Sequence, residues 1–173
     1  MKKIAIIISA LIFGIWGCSK DSMLDPSNPD NGNADLKKSA VKIFVLKAVK
    51  LQNHPTENPM VFWISGNISH MGLIDPASTV TITSMTTDPE NPGKFLQTAI
   101  INMIGADGSS LQFETTRGEF FPATGYSEHD WDVVSGTGRF EGATGWYKST
   151  SQLDNTTMIN YVTGYGEIYV AKK

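Results

Sequence analysis

From Val41 onward, short runs of β-branched and aromatic residues alternate with clusters of turn-forming residues, and this alternation limits the possible folds most strongly. The clusters, such as Asn91-Pro92-Gly93, contain the residue types that interrupt strands and form tight turns. No segment keeps a 3.6-residue apolar period for long, so we expect little helix. The runs predict eight strands, near residues 40–51, 60–69, 78–87, 94–104, 109–121, 129–135, 143–153 and 158–171.

The links between these runs are short, which is typical of hairpins that join neighbouring antiparallel strands. Eight such strands favour a meander that closes into a barrel, because closure leaves no sheet edge exposed. A two-sheet sandwich is the alternative, and the run at 40–51 also permits a helix with one apolar face. We therefore expect an all-β domain over 40–173, built as an eight-stranded antiparallel barrel.

Alternation within each strand predicts which side chains point into the barrel. In the run 60–69, the more apolar face carries Phe62 and Ile64, and the same parity puts His70 at its inner end. A polar group at a cavity mouth is one way in which binding sites orient a ligand, although a histidine that braces the turn is the alternative. The residues predicted to line a ligand cavity are Phe62, His70, Phe113, Trp131 and Tyr147.

In two of the predicted strands, alternation alone does not decide which residues point into the barrel. In the run 109–121, the parity that points Phe113 inward also carries Arg117 inward, unless a bulge near Gly118 intervenes. In the run 158–171, small and aliphatic residues alternate with tyrosines, and either set can face the interior.

The first 18 residues are organised like a bacterial lipoprotein signal. Lys2 and Lys3 precede Ile4–Trp16, an apolar run of 13 residues. A membrane-spanning helix needs about 20, so this run has the length of a cleavable signal. Gly17 and Cys18 follow, and Cys18 is the only cysteine. The segment resembles a lipobox, with tryptophan where a small residue is usual, which implies cleavage after residue 17 and lipidation of Cys18. An ordinary signal peptide with an unmodified or core thiol is the alternative.

Residues 18–39 are rich in Ser, Asp, Asn, Pro and Gly. So few apolar side chains cannot offset the entropy of ordering, and we predict a flexible tether between a signal peptide at 1–17 and the barrel at 40–173. Removing 1–17 takes away two lysines and no acidic residue, so the net charge falls from −3 to −5. An acidic protein is not attracted to an anionic membrane, so the acyl chains on Cys18 must anchor it.

Two short motifs in the tether bear on localisation. Ser19-Lys20-Asp21 resembles the export signal of surface-displayed lipoproteins in some Gram-negative bacteria. The overlapping residues around Ser22 resemble an O-glycosylation site of such bacteria. We expect an outer-membrane lipoprotein at the cell surface, with a periplasm-facing orientation as the alternative.

Composition and motif spacing exclude several function classes. A formal charge of −3 provides no basic field for nucleic acid. A single cysteine excludes an internal disulfide framework and a multi-thiolate metal site. His54, His70 and His129 show no metal-binding spacing, and no serine lies in a nucleophile elbow. We expect no cofactor, identify no catalytic residue and leave open whether the protein is an enzyme.

The most specific segment, 133–145, surrounds one large apolar side chain, Phe140, with glycines. The spacing of these glycines fits neither a dinucleotide-binding motif nor a P-loop. Glycines permit positive φ and close backbone approach, and Phe140 is placed to fill a core. We therefore predict a structural turn that closes one end of the barrel, formed by Gly136, Gly138, Phe140, Gly142 and Gly145.

This segment resembles the G-G-T-G-x-F-x-G-A-x-G motif of allene oxide cyclase-like and dirigent-like barrels, with Ser135 in place of the first glycine. The turn Ser69-His70-Met71-Gly72 is similar to one in bacterial secreted members of that group. The resemblance implies an eight-stranded, calycin-like barrel with an apolar cavity. In the plant enzymes, such a cavity guides cyclisation or radical coupling of small lipophilic molecules. Their catalytic residues have no matching motif here.

Three functions remain open from the sequence. The leading hypothesis is a lipid-anchored barrel that binds a small, largely apolar molecule. A cyclase or isomerase that acts by shaping its substrate is the second. The third is an adhesion or accessory protein that presents exterior aromatic residues, such as Trp63 and Trp146, to glycan or protein. A cavity above about 300 Å³ favours the first two, and a solidly packed interior favours the third.

Overall fold

The computed structural model describes residues 41–172, in which nine strands and one turn of 3-10 helix follow one another. The described residues do not include the predicted signal at 1–17, the predicted lipidation site Cys18 or the predicted tether at 18–39, nor residues 40 and 173 of the predicted domain. The strands are β1 Val41–Pro55, β2 Val61–Ile68, β3 Gly72–Leu73, β4 Thr79–Thr87, β5 Phe95–Ile104, β6 Ser110–Phe121, β7 Tyr126–Gly136, β8 Thr144–Leu153 and β9 Asn160–Ala171.

Pairing between the first two strands and along the meander closes the sheet. The strand order is β1-β9-β8-β7-β6-β5-β4-β2, all antiparallel, and β1 also pairs with β2. Eight strands thus form a closed antiparallel barrel, and the two-residue β3 pairs only with the end of β2. The predicted barrel is confirmed. From residue 41 onward, the run that also permitted a helix is strand, and among residues 41–172 no helix is long and apolar enough to cross a membrane.

A bulge in β6 decides the direction of Arg117, which the sequence left open between regular alternation and a bulge near Gly118. The pairing of β6 with β7 shifts register between Thr115 and Arg117. The shift turns Arg117 outward, where it bonds Glu119 at 3.2 Å, and turns Gly118 into the interior. Arg117 therefore does not point into the barrel as regular alternation predicts. In β9 the structure settles the open choice, because Val162 and Ile168 are buried whereas Tyr161 and Tyr165 are exposed.

The buried side chains concentrate at one end of the barrel, which we call the packed end. It contains the beginning of β1, the end of β2, the beginning of β6 and the 3-10 turn Gly138–Phe140 between β7 and β8. Its largest side chains are at most 5% exposed: Phe44, Leu46, Ile68, Met71, Leu111, Phe113, Phe140 and Ile168. The opposite end, which we call the hollow end, carries the candidate site.

Candidate functional site

A cavity of about 430 Å³ occupies the barrel interior at the hollow end. Inward side chains of four strands make one apolar wall: Leu51, Phe62, Ile64, Val80, Ile82, Ile101 and Met103. Exposed residues of the β1–β2 and β8–β9 loops also line it, including Pro59 and Met158, so the cavity opens to solvent between these loops. An apolar wall of this kind suits a lipophilic molecule.

The opposite wall, on β7 and β8, is polar. Its inward positions carry hydroxyl groups that bond to neighbouring side chains rather than to the backbone. The hydroxyls of Ser127 and Ser151 lie 2.7 Å apart, and the indole N–H of Trp131 donates to Ser149 Oγ at 2.9 Å. These bonds satisfy the polar groups without a charge, so the wall is polar but neutral.

His129 is a further polar residue of this wall. Its Nε2 lies 3.1 Å from Gln97 Oε1 on β5, and its ring stacks on Trp131 with centroids 5.1 Å apart. Burial disfavours the charged ring and lowers the pKa of His129 to about 4, against a smaller opposing effect of Asp130. The imidazole is therefore neutral near pH 7.

Tyr147 differs from its neighbours because its hydroxyl has no hydrogen-bond partner among the described residues. The side chain is 1% exposed and lines the cavity, and its ring contacts Phe113 with centroids 5.7 Å apart. A Cβ atom at Gly164 would lie 2.2 Å from the hydroxyl oxygen, so glycine at 164 makes room for this side chain. Burial raises the pKa of the Tyr147 phenol, which stays protonated.

None of the described residues that line the cavity is Asp, Glu, Lys or Arg, so the lining carries no full charge near pH 7. Charged residues of the same strands point outward instead. Asp130 lies between two inward residues of β7, and it pairs on the outer face with Lys148 at 3.2 Å and Arg117 at 3.9 Å. In residues 41–172, no cluster of His, Cys, Asp and Glu has the arrangement of a metal site.

A second hollow of about 580 Å³ lies on the outer wall, across β6 to β9 and β1. It is lined by outward residues such as Lys47, Glu128 and Tyr165, and it includes the Asp130–Lys148 ion pair. Three of its charged groups, Arg117, Asp130 and Lys148, already interact with one another. The interior cavity is therefore the better site for an apolar molecule, although the outer groove has the larger volume.

The structure brings together three of the five predicted cavity residues. Phe62, Trp131 and Tyr147 line the cavity, whereas Phe113 is fully buried beneath it, against the ring of Tyr147. His70 lies elsewhere, which corrects the parity prediction.

Strand β2 ends at Ile68, two residues before His70, and the chain turns there. His70 takes a φ of 66° in this turn, so its side chain is exposed instead of continuing the inward face. Its ring packs against the edge of Phe44 at the packed end, with centroids 5.6 Å apart. Inward alternation ends with the strand and cannot be extended into the turn.

Sequence reasoning missed His129, Gln97 and Ser149 as cavity residues. A signal for His129 was available, because it stands two residues before Trp131 on the same strand and so shares its inward face. The contact with Gln97 joins residues 32 positions apart and follows only from the barrel's pairing.

The glycine-rich turn belongs to the packed end and does not line the cavity. Gly138 and Gly142 have φ angles of 60° and 72°, which favour glycine. A Cβ atom at Gly136 would lie 2.2 Å from the carbonyl oxygen of Phe140, so this close approach also requires glycine. The ring of Phe140 is fully buried and contacts Phe44 with centroids 5.3 Å apart. The turn therefore plugs one end of the barrel.

Exterior aromatic residues mostly contact one another. Trp63 stacks on His54 with centroids 3.8 Å apart, and His54 in turn lies 2.7 Å from Ser65 Oγ. Trp146 packs edge-on against Tyr165. These pairs cover apolar surface on the outer wall, away from the cavity.

Two solved structures are similar to this chain. The pterocarpan synthase dirigent protein GePTS1 is 12% identical, with a TM-score of 0.40, over 77% of this chain and 92% of that chain. The pterocarpan synthase dirigent protein PsPTS1 is 14% identical, with a TM-score of 0.36, over 78% and 96%. Both are dirigent proteins, the family that the glycine-rich segment resembles. No family model matches the sequence, and no curated protein matches it. The closed barrel itself is established by the strand pairing.

Proposed function

We propose that this protein binds a small, largely apolar molecule in the cavity at the hollow end of its barrel. The observation that carries the proposal is the cavity itself, whose volume of about 430 Å³ lies within the range of about 300–1,000 Å³ typical of small-molecule sites. Protein interiors are otherwise close-packed, and the packed end shows that this chain can fill its barrel. A hollow interior of this size favours ligand binding over the adhesion or accessory role.

The binding domain is proposed to stand on a lipid anchor at Cys18, joined by the tether 18–39. The lipobox-like sequence before Cys18 and its status as the sole cysteine support this anchor. The Lys20-Asp21 pair supports display at the outer surface of the outer membrane over a periplasm-facing orientation. A barrel held at a membrane is well placed to exchange a lipophilic ligand.

A second candidate function is a cyclase or isomerase that holds a reactive substrate in one shape. The hydroxyl of Tyr147 favours it, because a buried donor can stabilise charge that develops on a substrate oxygen. The cavity's two titratable side chains, His129 and Tyr147, are both neutral near pH 7. Binding without turnover is the simpler role for such a cavity.

Mass spectrometry of small molecules that copurify with the protein tests the binding function. Val162→Phe adds a ring to an inward position of β9 that lines the cavity, whereas Thr163→Phe adds the same ring to the outer face. We expect an apolar compound with the wild type and with Thr163→Phe, and its loss with Val162→Phe. A compound retained equally by both variants would show that it binds outside the cavity.

Metabolic labelling with a palmitate analogue tests the anchor. Cys18→Ala is expected to abolish labelling and to leave the signal uncleaved by the lipoprotein peptidase. Labelling that persists in this variant, or that never occurs in the wild type, would contradict lipidation. Protease accessibility on intact cells then separates the two orientations, and replacing Lys20 and Asp21 with alanine is expected to reduce it.

A further inference from the structure

We propose that the molecule bound in the cavity is electrically neutral and carries a hydrogen-bond acceptor, such as a carbonyl oxygen, that contacts the hydroxyl of Tyr147. This inference rests on the proposed binding function and specifies the chemical class of the ligand. It depends on two independent observations, the unsatisfied hydroxyl and the charge-free lining of the cavity.

The Tyr147 hydroxyl is placed for a partner that the described protein does not supply. Tyr147 is 1% exposed and lines the cavity, yet its hydroxyl has no partner among residues 41–172. Buried polar groups are nearly always hydrogen-bonded, because an unsatisfied one destabilises the folded chain. Glycine at 164 leaves the space that this hydroxyl occupies. A ligand atom at the cavity wall would satisfy it.

The other polar groups of the wall are already paired. Ser127 bonds Ser151, and the Trp131 indole donates to Ser149. Among the described residues, Tyr147 is thus the polar group of this wall that has no hydrogen-bond partner at all. A phenol gives its proton to a hydrogen bond more readily than it accepts one, and burial keeps this phenol protonated. The matching ligand group is therefore an acceptor.

The lining also sets the charge of the ligand. A carboxylate or an ammonium group in this cavity would lose its hydration and find no opposite charge among the described lining residues. Charged residues of the lining strands, such as Asp130 and Lys148, pair with each other on the outer face. A neutral molecule avoids that desolvation penalty, so the cavity discriminates against ions.

Three probes of similar size, all built on the naphthalene ring, test both parts of the proposal, the hydrogen-bond acceptor and the neutral charge. Prodan is a neutral ketone whose fluorescence moves to longer wavelength when its carbonyl accepts a hydrogen bond, dimethylaminonaphthalene lacks the carbonyl, and dimethylaminonaphthalene sulfonate is an anion. Binding is measured on the mature chain, residues 18–173, carrying Cys18→Ser and produced without the predicted signal at 1–17, so that neither acyl chains nor detergent compete for the cavity. Tyr147→Phe removes the hydroxyl, and Tyr126→Phe is the matched control, since its hydroxyl bonds Glu128 outside the cavity.

We expect Tyr147→Phe to weaken prodan binding about three- to tenfold, the effect of one neutral hydrogen bond, and to shift the emission of bound prodan to shorter wavelength. Dimethylaminonaphthalene is expected to bind both proteins equally, and Tyr126→Phe to change neither probe. The sulfonate is expected to bind at least about tenfold more weakly than prodan, because its charge stays unpaired. The melting temperature of Tyr147→Phe is expected to equal or exceed that of the wild type.

The failures are distinguishable. If no probe binds the wild type, the binding function fails, and the inference fails with it. If both neutral probes bind and Tyr147→Phe alters neither affinity nor emission, the cavity binds but the acceptor contact is wrong. Sulfonate binding as tight as that of prodan would overturn neutrality. A melting temperature that falls further in Tyr147→Phe than in Tyr126→Phe would show a structural role for the hydroxyl and overturn its assignment to a ligand.

Discussion

The two ends of this barrel are built from the same strands but filled differently. At the packed end, inward positions carry large side chains such as Phe44, Leu111 and Phe140. At the hollow end, the corresponding positions of β5 and β8 carry Ala99 and Ser151, which are too small to meet across the barrel. Small residues on the inward face therefore leave the cavity open, while the pairing of the strands around it remains closed.

The difference also separates the residues expected to stabilise the barrel from those proposed to bind a ligand. Buried aromatic and aliphatic side chains stabilise the packed end, and their loss leaves cavities that a rigid barrel cannot close. The hollow end already has a cavity, so its lining tolerates substitution better and is free to specify a ligand. If this division holds, substitutions at the two ends will differ in their effects on stability and on ligand binding.

The largest effect is expected from a matched pair of phenylalanines. Phe140→Ala removes a fully buried ring at the packed end and should lower the free energy of unfolding by about 3–5 kcal/mol. Phe62→Ala removes a partly exposed ring from the cavity wall and should lower it by less than half as much. Denaturant unfolding measures both, and equal losses would show that the two ends contribute alike.

The second effect concerns the pH dependence of stability at the hollow end. The unfolded chain protonates His129 near its ordinary pKa of 6.5, whereas the folded ring protonates only near pH 4. Between these values the unfolded state binds more protons, so stability falls as the pH is lowered, by about 3 kcal/mol over the whole window. The carboxylates with lowered pKa, such as Asp88 and Glu119, lose their contribution at lower pH.

A variant at His129 isolates this effect. His129→Gln removes the titrating ring and keeps a partner for Gln97, so its melting temperature should change less between pH 7 and pH 5 than that of the wild type. His54→Gln, on the outer wall, is the control and should retain most of the wild-type dependence. An unchanged slope in His129→Gln would mean that the cavity histidine is not the source.

The smallest effect distinguishes two glycines of the packed end. Both have positive φ, which disfavours valine by about 1–3 kcal/mol. A Cβ atom at Gly138 would also lie 2.5 Å from Ser109 Oγ, whereas one at Gly142 meets nothing within 4 Å. Gly138→Val should therefore lower the melting temperature more than Gly142→Val. If Gly138→Val melts like the wild type but loses ligand, the turn is a binding loop rather than a plug.

Sequence patterns predicted most of the fold because they depend on local features. Turn clusters located the strands to within a few residues, and short links predicted the closed meander. The glycines around Phe140 predicted a plug, since only a tight turn with positive φ requires them at that density. Alternation placed Trp131 inward because β7 is regular there.

Alternation failed to give the side-chain direction where the regular strand geometry is interrupted. A register shift after Thr115 turns Arg117 outward, and the end of β2 takes His70 out of the inward face. The contact between His129 and Gln97 also lay beyond sequence reasoning, because it joins distant parts of the chain. The volume of the cavity depends on how side chains from opposite strands meet, which no local pattern reports.

A comparison of two buried alanines tests most directly whether the ligand site lies inside the barrel. Ala99 lies at the hollow end, and Ala143 lies at the packed end. Ala99→Leu adds its bulk to the cavity, so it should keep the wild-type melting temperature and lose prodan binding. Ala143→Leu overpacks a filled core, which typically destabilises by about 1–3 kcal/mol, and should keep prodan binding. The decisive measurement is prodan affinity for these two variants: loss in Ala99→Leu alone is predicted, and wild-type affinity in Ala99→Leu would contradict a ligand site inside the barrel.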